Sequence, residues 1–345
     1  MDLSKKPITA TARVVCAIFL VLSSVAFPSC ANPAQGGFPA SGGTAGLVPP
    51  TADEDPNLAS IAVTVAGHSR RVHYRTYGDE GNPVLLVAPG SLSDIRAYLP
   101  FRAFADRYRV VLWDLRGNGL SERVSADELS FGAMVEEMHQ VKLLFSPDAP
   151  ATIVGHSWSA AFAAMYAARY PDDTEQLVLM EPPGLKSEYM AAAQQILRLT
   201  SVEYCDMNVF QGTLSPTDHE KLDYAMLSML DSGVRDFFVD VNHRPAWPVW
   251  RVGGLALIVW ERALVDASGS WKYDLTPGLG GYLHPVLIVG SSHSPIGYAF
   301  QEKYTKPLFR SASVLRIEQS GHRMITEQWA QLEAGLRANL VHYGN

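Results

Sequence analysis

The stretch ATIVGHSWSA, residues 151–160, reads as a short apolar strand that turns at once into a helix. ATIVG is a continuous apolar run, as expected of a strand buried on both faces. The helix that follows, SWSAAFAAMYAARY, carries alanine at 160, 161, 163, 164, 167 and 168, so it can pack close against a sheet. A turn this abrupt strains its central residue and lifts Ser157 above the sheet edge. Its flanks must be small because neighbouring elements approach closely; Gly155 meets that need, and Ser159 stands where a second glycine is usual. A serine here is either a helix cap or a nucleophile, and its surroundings decide which.

Working outward, VLLVA (84–88), YRVVLWD (108–114), QLVLM (176–180), PVLIVG (285–290) and SVLRI (313–317) repeat the buried-strand form. Helical stretches at 97–107, 127–146, 158–170 and 323–340 alternate with them. The alternation predicts an α/β fold with a mainly parallel sheet and helices on both faces. SIAVTVAG and RVHYRTYG read as an antiparallel pair that opens the sheet. One interval breaks the rhythm: residues 184–283 offer helical stretches and no strong strand. They form an insertion between strands 6 and 7, expected to be a helical lid. Trp247, Trp250, Trp260, Trp271, Phe237 and Phe238 either form the insertion's own core or line a substrate cleft beneath it.

Composition bounds the function. The 345 residues are 47% hydrophobic and 18% charged, with a formal net charge of −7 and no clustered basic runs, so nucleic-acid binding is not expected. Residues 1–30 place Lys5, Lys6 and Arg13 before the apolar run VVCAIFLVLSSVAF, the layout of a secretory signal. The run is shorter than the roughly 20 residues of a membrane span, and an uncleaved N-terminal anchor is the alternative reading, with membrane attachment as its consequence. Its end, FPSCA, fits either simple cleavage or lipidation at Cys30, so the expected location is exported: secreted, periplasmic or anchored to the envelope. Residues 31–57, rich in Gly, Pro, Ala and Ser, read as a flexible tether. Cys205 is then the lone cysteine of the globular part, and no disulfide framework can be built.

Four segments, in order, resemble the α/β-hydrolase superfamily over roughly residues 58–342: PGSLSD (89–94), WDLRGNGLSE (113–122), GHSWSA (155–160) and QSGHRMITEQW (319–329). The core implied by the resemblance comprises 58–183 and 284–345. Serine needs a base to take its proton, and His322, in the loop before the last helix, is the candidate. His156, beside the serine, is expected to be structural. By resemblance the oxyanion would be held by the backbone N–H groups of Ser91 and Trp158, each such donor contributing about 3 kcal/mol to the transition state. Pro89 replaces the histidine usual at the start of that loop.

The third triad member departs from the family pattern. Where an aspartate is usual, GSSHSP places His293, which is either an inert loop residue or a substrate contact at the cleft mouth. Glu181, ending the strand in QLVLMEPPG, lies on the sheet edge that carries the elbow and is the expected acid. Asp114 is expected to order its own loop through Arg116. The reading is a serine hydrolase of a carboxylic ester or lactone with an apolar portion, acting on a small molecule without cofactor or metal. Epoxide- and haloalkane-processing relatives use an aspartate nucleophile, which this chain lacks. Two alternatives are a proline-iminopeptidase-like aminopeptidase, with lid carboxylates Glu188, Glu203, Asp206 or Glu220 holding an amine, and a non-catalytic binding protein on the same fold.

Overall fold

The computed structural model describes residues 48–88, 90, 93–190, 219–220, 222–223, 238–240, 248–268 and 270–342. Eight strands form one sheet: β1 Ser60–Val65, β2 His68–Tyr77, β3 Val84–Ala88, β4 Arg109–Trp113, β5 Ala151–His156, β6 Thr174–Met180, β7 Val286–Ser291 and β8 Ala312–Ile317. Their spatial order is β1-β2-β4-β3-β5-β6-β7-β8. The first two pairings, β1 with β2 and β2 with β4, are antiparallel, and the rest are parallel. This is the mainly parallel α/β sheet that the apolar runs predict.

Alternation along the strands divides the core in two. Leu86, Ala88, Ile153, Leu177, Leu179 and Ile288 face one side, while Leu85, Val87, Val154, Val178, Met180 and Val289 face the other. Burying such a side chain contributes about 1.5–3 kcal/mol, so a strand buried on both faces needs the unbroken apolar run seen in VLLVA. The first side is covered by helices α1 Phe131–Phe145 and α2 Trp158–Arg169, and α3 Gly254–Leu264 packs in turn on α2 and on the segment Ala126–Leu129. The second is covered by the 3-10 segment Ile95–Asp106 and by α4 Trp329–Asn339. Ser130 caps α1 by accepting the Ala133 N–H at 3.2 Å.

Topology sets the position of the site. The chain steps from β3 to β4 on one side and from β4 back to β5 on the other, so the crevice at the C-terminal ends of β3 and β5 is a switch point. About half of the expected lid falls outside the described residues, including Glu203, Asp206, Phe237 and Trp247. The described part of the insertion includes α3 and the segment from 270 to 276, where Lys186 pairs with Asp274 in an isolated bridge. Trp260 packs edge-on against Phe162 of α2 at 4.8 Å and donates its Nε1–H to the Leu129 carbonyl at 2.8 Å, which makes it a core residue. No helix among the described residues is long and apolar enough to cross a membrane.

Candidate active site

Ser157 sits between β5 and α2 with φ 58° and ψ −127°, a conformation side chains rarely adopt. Such residues cost on the order of 1–3 kcal/mol and persist only where surroundings over-determine them. Here the Ser157 N–H is held by the Met180 carbonyl at 3.0 Å. Gly155 is required: a Cβ there would lie 2.4 Å from the Ser159 carbonyl oxygen. Ser159 fits because its hydroxyl bonds inward, accepting the His156 N–H at 2.9 Å and reaching the Ala88 carbonyl at 2.9 Å.

Among the described residues, four non-glycines have positive φ: Ala66 (51°), Ser157 (58°), Glu181 (43°) and Gln319 (49°). Ala66 turns the β1–β2 hairpin. The other three stand at the elbow, at the end of β6 and in the loop carrying His322. Backbone strain therefore gathers at Ser157, at Glu181 and in the loop of His322.

Glu181 follows β6 and is fully buried, with its N–H held by the Val289 carbonyl at 2.9 Å. Its Oε2 lies 2.6 Å from His322 Nδ1, while Oε1 accepts the Ser291 N–H at 2.7 Å and the Ser291 hydroxyl at 2.5 Å. Burial alone would push this carboxyl up. The hydrogen bond and charge of His322, together with the two Ser291 donors, outweigh it and hold the group below its ordinary range. The carboxylate only accepts, so the imidazole proton sits on Nδ1 and the Nε2 lone pair is left for another partner.

His156 is structural in geometry. Burial first, then the charge of His322, lowers its pKa to about 3, so the ring is neutral. Its Nε2 lies 2.9 Å from the His322 carbonyl, an acceptor, and must carry the proton. Its Nδ1 then accepts from the Tyr98 hydroxyl at 2.9 Å, and Tyr98 in turn accepts the Gly90 N–H at 2.7 Å. One directed chain thus joins the loop after β3 to the loop bearing His322, passing beneath the elbow. Among the described residues no hydrogen bond joins Ser157 Oγ to His322; the two loops meet through His156, whose ring centroid is 4.7 Å from that of His322. Catalytic hydrogen bonds are often long before substrate binds.

Of the two expected oxyanion donors, Trp158 opens α2, where the first N–H groups have no acceptor within the helix. Ser91 and Pro89 lie outside the described residues. Gly90 is described, and it passes so close over the elbow that a Cβ would lie 2.7 Å from the His156 carbonyl oxygen. His293 is exposed, its N–H donating to the Ser320 carbonyl at 3.0 Å and its Nδ1 2.8 Å from Ser292 Oγ. Glu188 and Glu220 are also exposed.

Asp114 corrects one expectation. It orders its loop through backbone donors, the N–H groups of Ile95 (2.8 Å) and Leu120 (2.9 Å), and not through Arg116. Arg116 turns instead to Glu137 at 2.5 Å. Two further residues escaped sequence reading. Glu327 accepts the Gly321 N–H at 2.6 Å and so braces the histidine loop. Asp94 accepts the Trp250 N–H, and Arg96 stacks 3.9 Å over the Trp250 ring, which docks the returning insertion on the loop after β3. A carboxylate at the C-terminal side of a buried strand and three residues into a helical turn is the faint signal that marked neither.

Fold and geometry together define an α/β-hydrolase fold with Ser157 in the strained turn between β5 and α2. The chain belongs to the alpha/beta hydrolase fold family, whose model matches residues 83–327. It is similar to epoxide hydrolase 4 of Mus musculus, 27% identical over 149 residues that cover 41% of each chain. A proline iminopeptidase, PfmaB, of Pestalotiopsis fici is 24% identical over 177 residues, 49% of this chain and 61% of that one. The chain thus spans about two fifths to three fifths of these relatives' lengths. In structure it resembles the enol-lactonase from Burkholderia xenovorans LB400, with a TM-score of 0.53 at 16% identity over 80% of this chain and 97% of that one.

Proposed function

We propose that the chain is a serine hydrolase of carboxylic esters or lactones in which Ser157 is the nucleophile, His322 the base and Glu181 the acid that orients it. The contact between Glu181 Oε2 and His322 Nδ1, 2.6 Å long and beside the elbow, is the observation that carries this reading. Ser157 Oγ attacks the carbonyl carbon as its proton passes to His322 Nε2. Negative charge on the former carbonyl oxygen is met by the N–H groups of Trp158 and Ser91. The intermediate collapses when His322 returns the proton to the leaving alkoxide, leaving an acyl-Ser157 ester. Water then attacks that ester with His322 again as base, releasing the acid and the free serine. With a lactone the alkoxide remains tethered, and the product is the hydroxy acid.

Residues 184–283 are proposed as a lid in which at least one aromatic side chain other than the core residue Trp260 receives the apolar part of the substrate. Export through residues 1–30 is proposed with it, with attachment at Cys30, an uncleaved anchor or simple release as its forms. Similarity to a proline iminopeptidase favours an aminopeptidase as the second reading. The exposure of Glu188 and Glu220 gives a substrate amine no buried counter-charge at those positions.

The test is hydrolysis of short-chain p-nitrophenyl esters and aliphatic lactones, against an aminoacyl arylamide, by wild type and Ser157→Ala. Ester or lactone turnover that disappears in Ser157→Ala supports the reading. Turnover of the arylamide alone replaces it with the aminopeptidase. No turnover, with no labelling of Ser157 by a phosphonate, leaves a binding protein on a hydrolase fold.

A further inference from the structure

Glu181 is not the only unusual feature of the acid's surroundings. Strand register brings β6 and β7 to a common edge: Met180 pairs with Val289, and the Glu181 N–H is held by the Val289 carbonyl. Two residues further along, Ser291 is the last residue of β7 and is 1% exposed. It gives Glu181 Oε1 both of its donors, the backbone N–H at 2.7 Å and the hydroxyl at 2.5 Å. The direction of the hydroxyl is settled by its other neighbour. The Ser294 N–H donates to Ser291 Oγ at 3.3 Å, so the single hydroxyl proton is free to point at the carboxylate.

The two carboxylate oxygens are therefore divided. Oε1 belongs to Ser291, and Oε2 belongs to His322. A buried carboxylate with one oxygen unheld could turn about its last side-chain bond and take Oε2 out of line with the imidazole. The Ser291 N–H alone does not prevent this, because a single donor to Oε1 leaves the carboxyl plane free to turn about it. Gln301 steadies the same corner from below, its Nε2 donating to the Pro182 carbonyl at 3.0 Å and the Ile296 carbonyl at 2.8 Å.

We propose that Ser291 is a positioning residue, whose hydroxyl locks the plane of the Glu181 carboxylate so that Oε2 stays aligned with His322 Nδ1. The proposal rests on the Ser157–His322–Glu181 reading above and adds the part that lets the acid work from the end of β6. With the usual aspartate position occupied by an exposed histidine, β7 still supplies the acid site, as a hydrogen-bond donor to a carboxylate on the neighbouring strand.

The experiment compares wild type, Ser291→Ala, Ser291→Cys and Glu181→Gln on p-nitrophenyl acetate. Rates are expressed per phosphonate-titrated Ser157, so that a loss of folded protein does not count as a loss of rate. The far-downfield proton resonance of His322 Nδ1–H, assigned by its absence in His322→Gln, is recorded alongside. Ser291→Ala is expected to lower kcat about 10- to 100-fold, the scale of one hydrogen bond to a charged group, with KM within about twofold. The Nδ1–H resonance is expected to shift upfield or broaden. Ser291→Cys keeps the size and weakens the donor, so it gives the same readouts if the alanine variant does not fold. A titrated kcat within about twofold of wild type and an unmoved resonance, with Glu181→Gln inactive, overturns the role of Ser291 alone. An active Glu181→Gln overturns the triad reading and the role of Ser291 with it.

Discussion

Glu181 and Asp114 are two carboxyl groups at the C-terminal ends of strands in one sheet, both fully buried. Burial pushes each of them up. Glu181 nevertheless lies below its ordinary range, because an imidazole and both donors of Ser291 meet it. Asp114 is pushed up to about 8: burial acts first, the neighbouring Asp94 carboxylate adds to it, and two backbone N–H groups recover only part. Equal burial thus goes with opposite shifts. Partners, and not depth, make one carboxyl a candidate for chemistry and the other a loop brace.

The comparison breaks most visibly at Glu181. Glu181→Gln should lower kcat by about 10³- to 10⁴-fold, because an amide at that point can favour the wrong imidazole tautomer. Steady-state kinetics per titrated Ser157 measures it. The same substitution at Asp114 should barely touch turnover: Asp114→Asn is expected within about twofold of wild type in kcat. Its effect belongs to stability, about 1–3 kcal/mol lost in denaturant titration at pH 5, since the amide nitrogen faces a backbone N–H that then has no acceptor.

Tyr98→Phe lies between these in activity. Removing its hydroxyl leaves the Gly90 N–H and His156 Nδ1 without the atom that joins them. A fall in kcat of about 10-fold is expected, with KM little changed.

Two of these groups, Asp114 and His156, also set the pH dependence of stability. Asp114 has a folded-state value of about 8 against an ordinary 3.8, so between the two the folded chain holds a proton that the unfolded chain releases. Its contribution therefore falls as pH rises through that window, by at most about 1.4 kcal/mol per pH unit. His156 acts the other way. Its folded value of about 3 lies below the ordinary 6.5, so stability is lost as pH falls through that window. Thermal melts from pH 4 to 9 should show Asp114→Asn losing less stability than wild type between about pH 4 and 8, with the two curves running parallel above that.

The sheet was legible because its strands are unbroken apolar runs, and their alternation with helices admits few topologies. Ser157 and His322 were legible because each stands in a local pattern, the elbow and the loop before the last helix. Glu181 could be named because the usual position held His293 and the end of β6 offered a carboxylate. Ser291 could not, since its role depends on which residue of β7 lies beside Glu181, a matter of register between strands 110 residues apart. Tyr98 and His156 meet across 58 residues, and Asp94 and Trp250 across 156. Arg116 misled for the opposite reason: it is close to Asp114 in sequence, but its side chain leaves the loop to pair with Glu137 on α1.

The most direct test of the account is the ionisation of the two buried carboxyls themselves, read by ¹³C NMR of the side-chain carboxyl carbons. Glu181→Gln and Asp114→Asn assign the two signals. At pH 7 the account predicts an ionised Glu181, whose signal changes only below its ordinary pKa, and a largely protonated Asp114 that titrates near pH 8. A protonated Glu181 at pH 7 would contradict it, because a neutral carboxyl cannot hold the His322 imidazolium that the proposed chemistry requires.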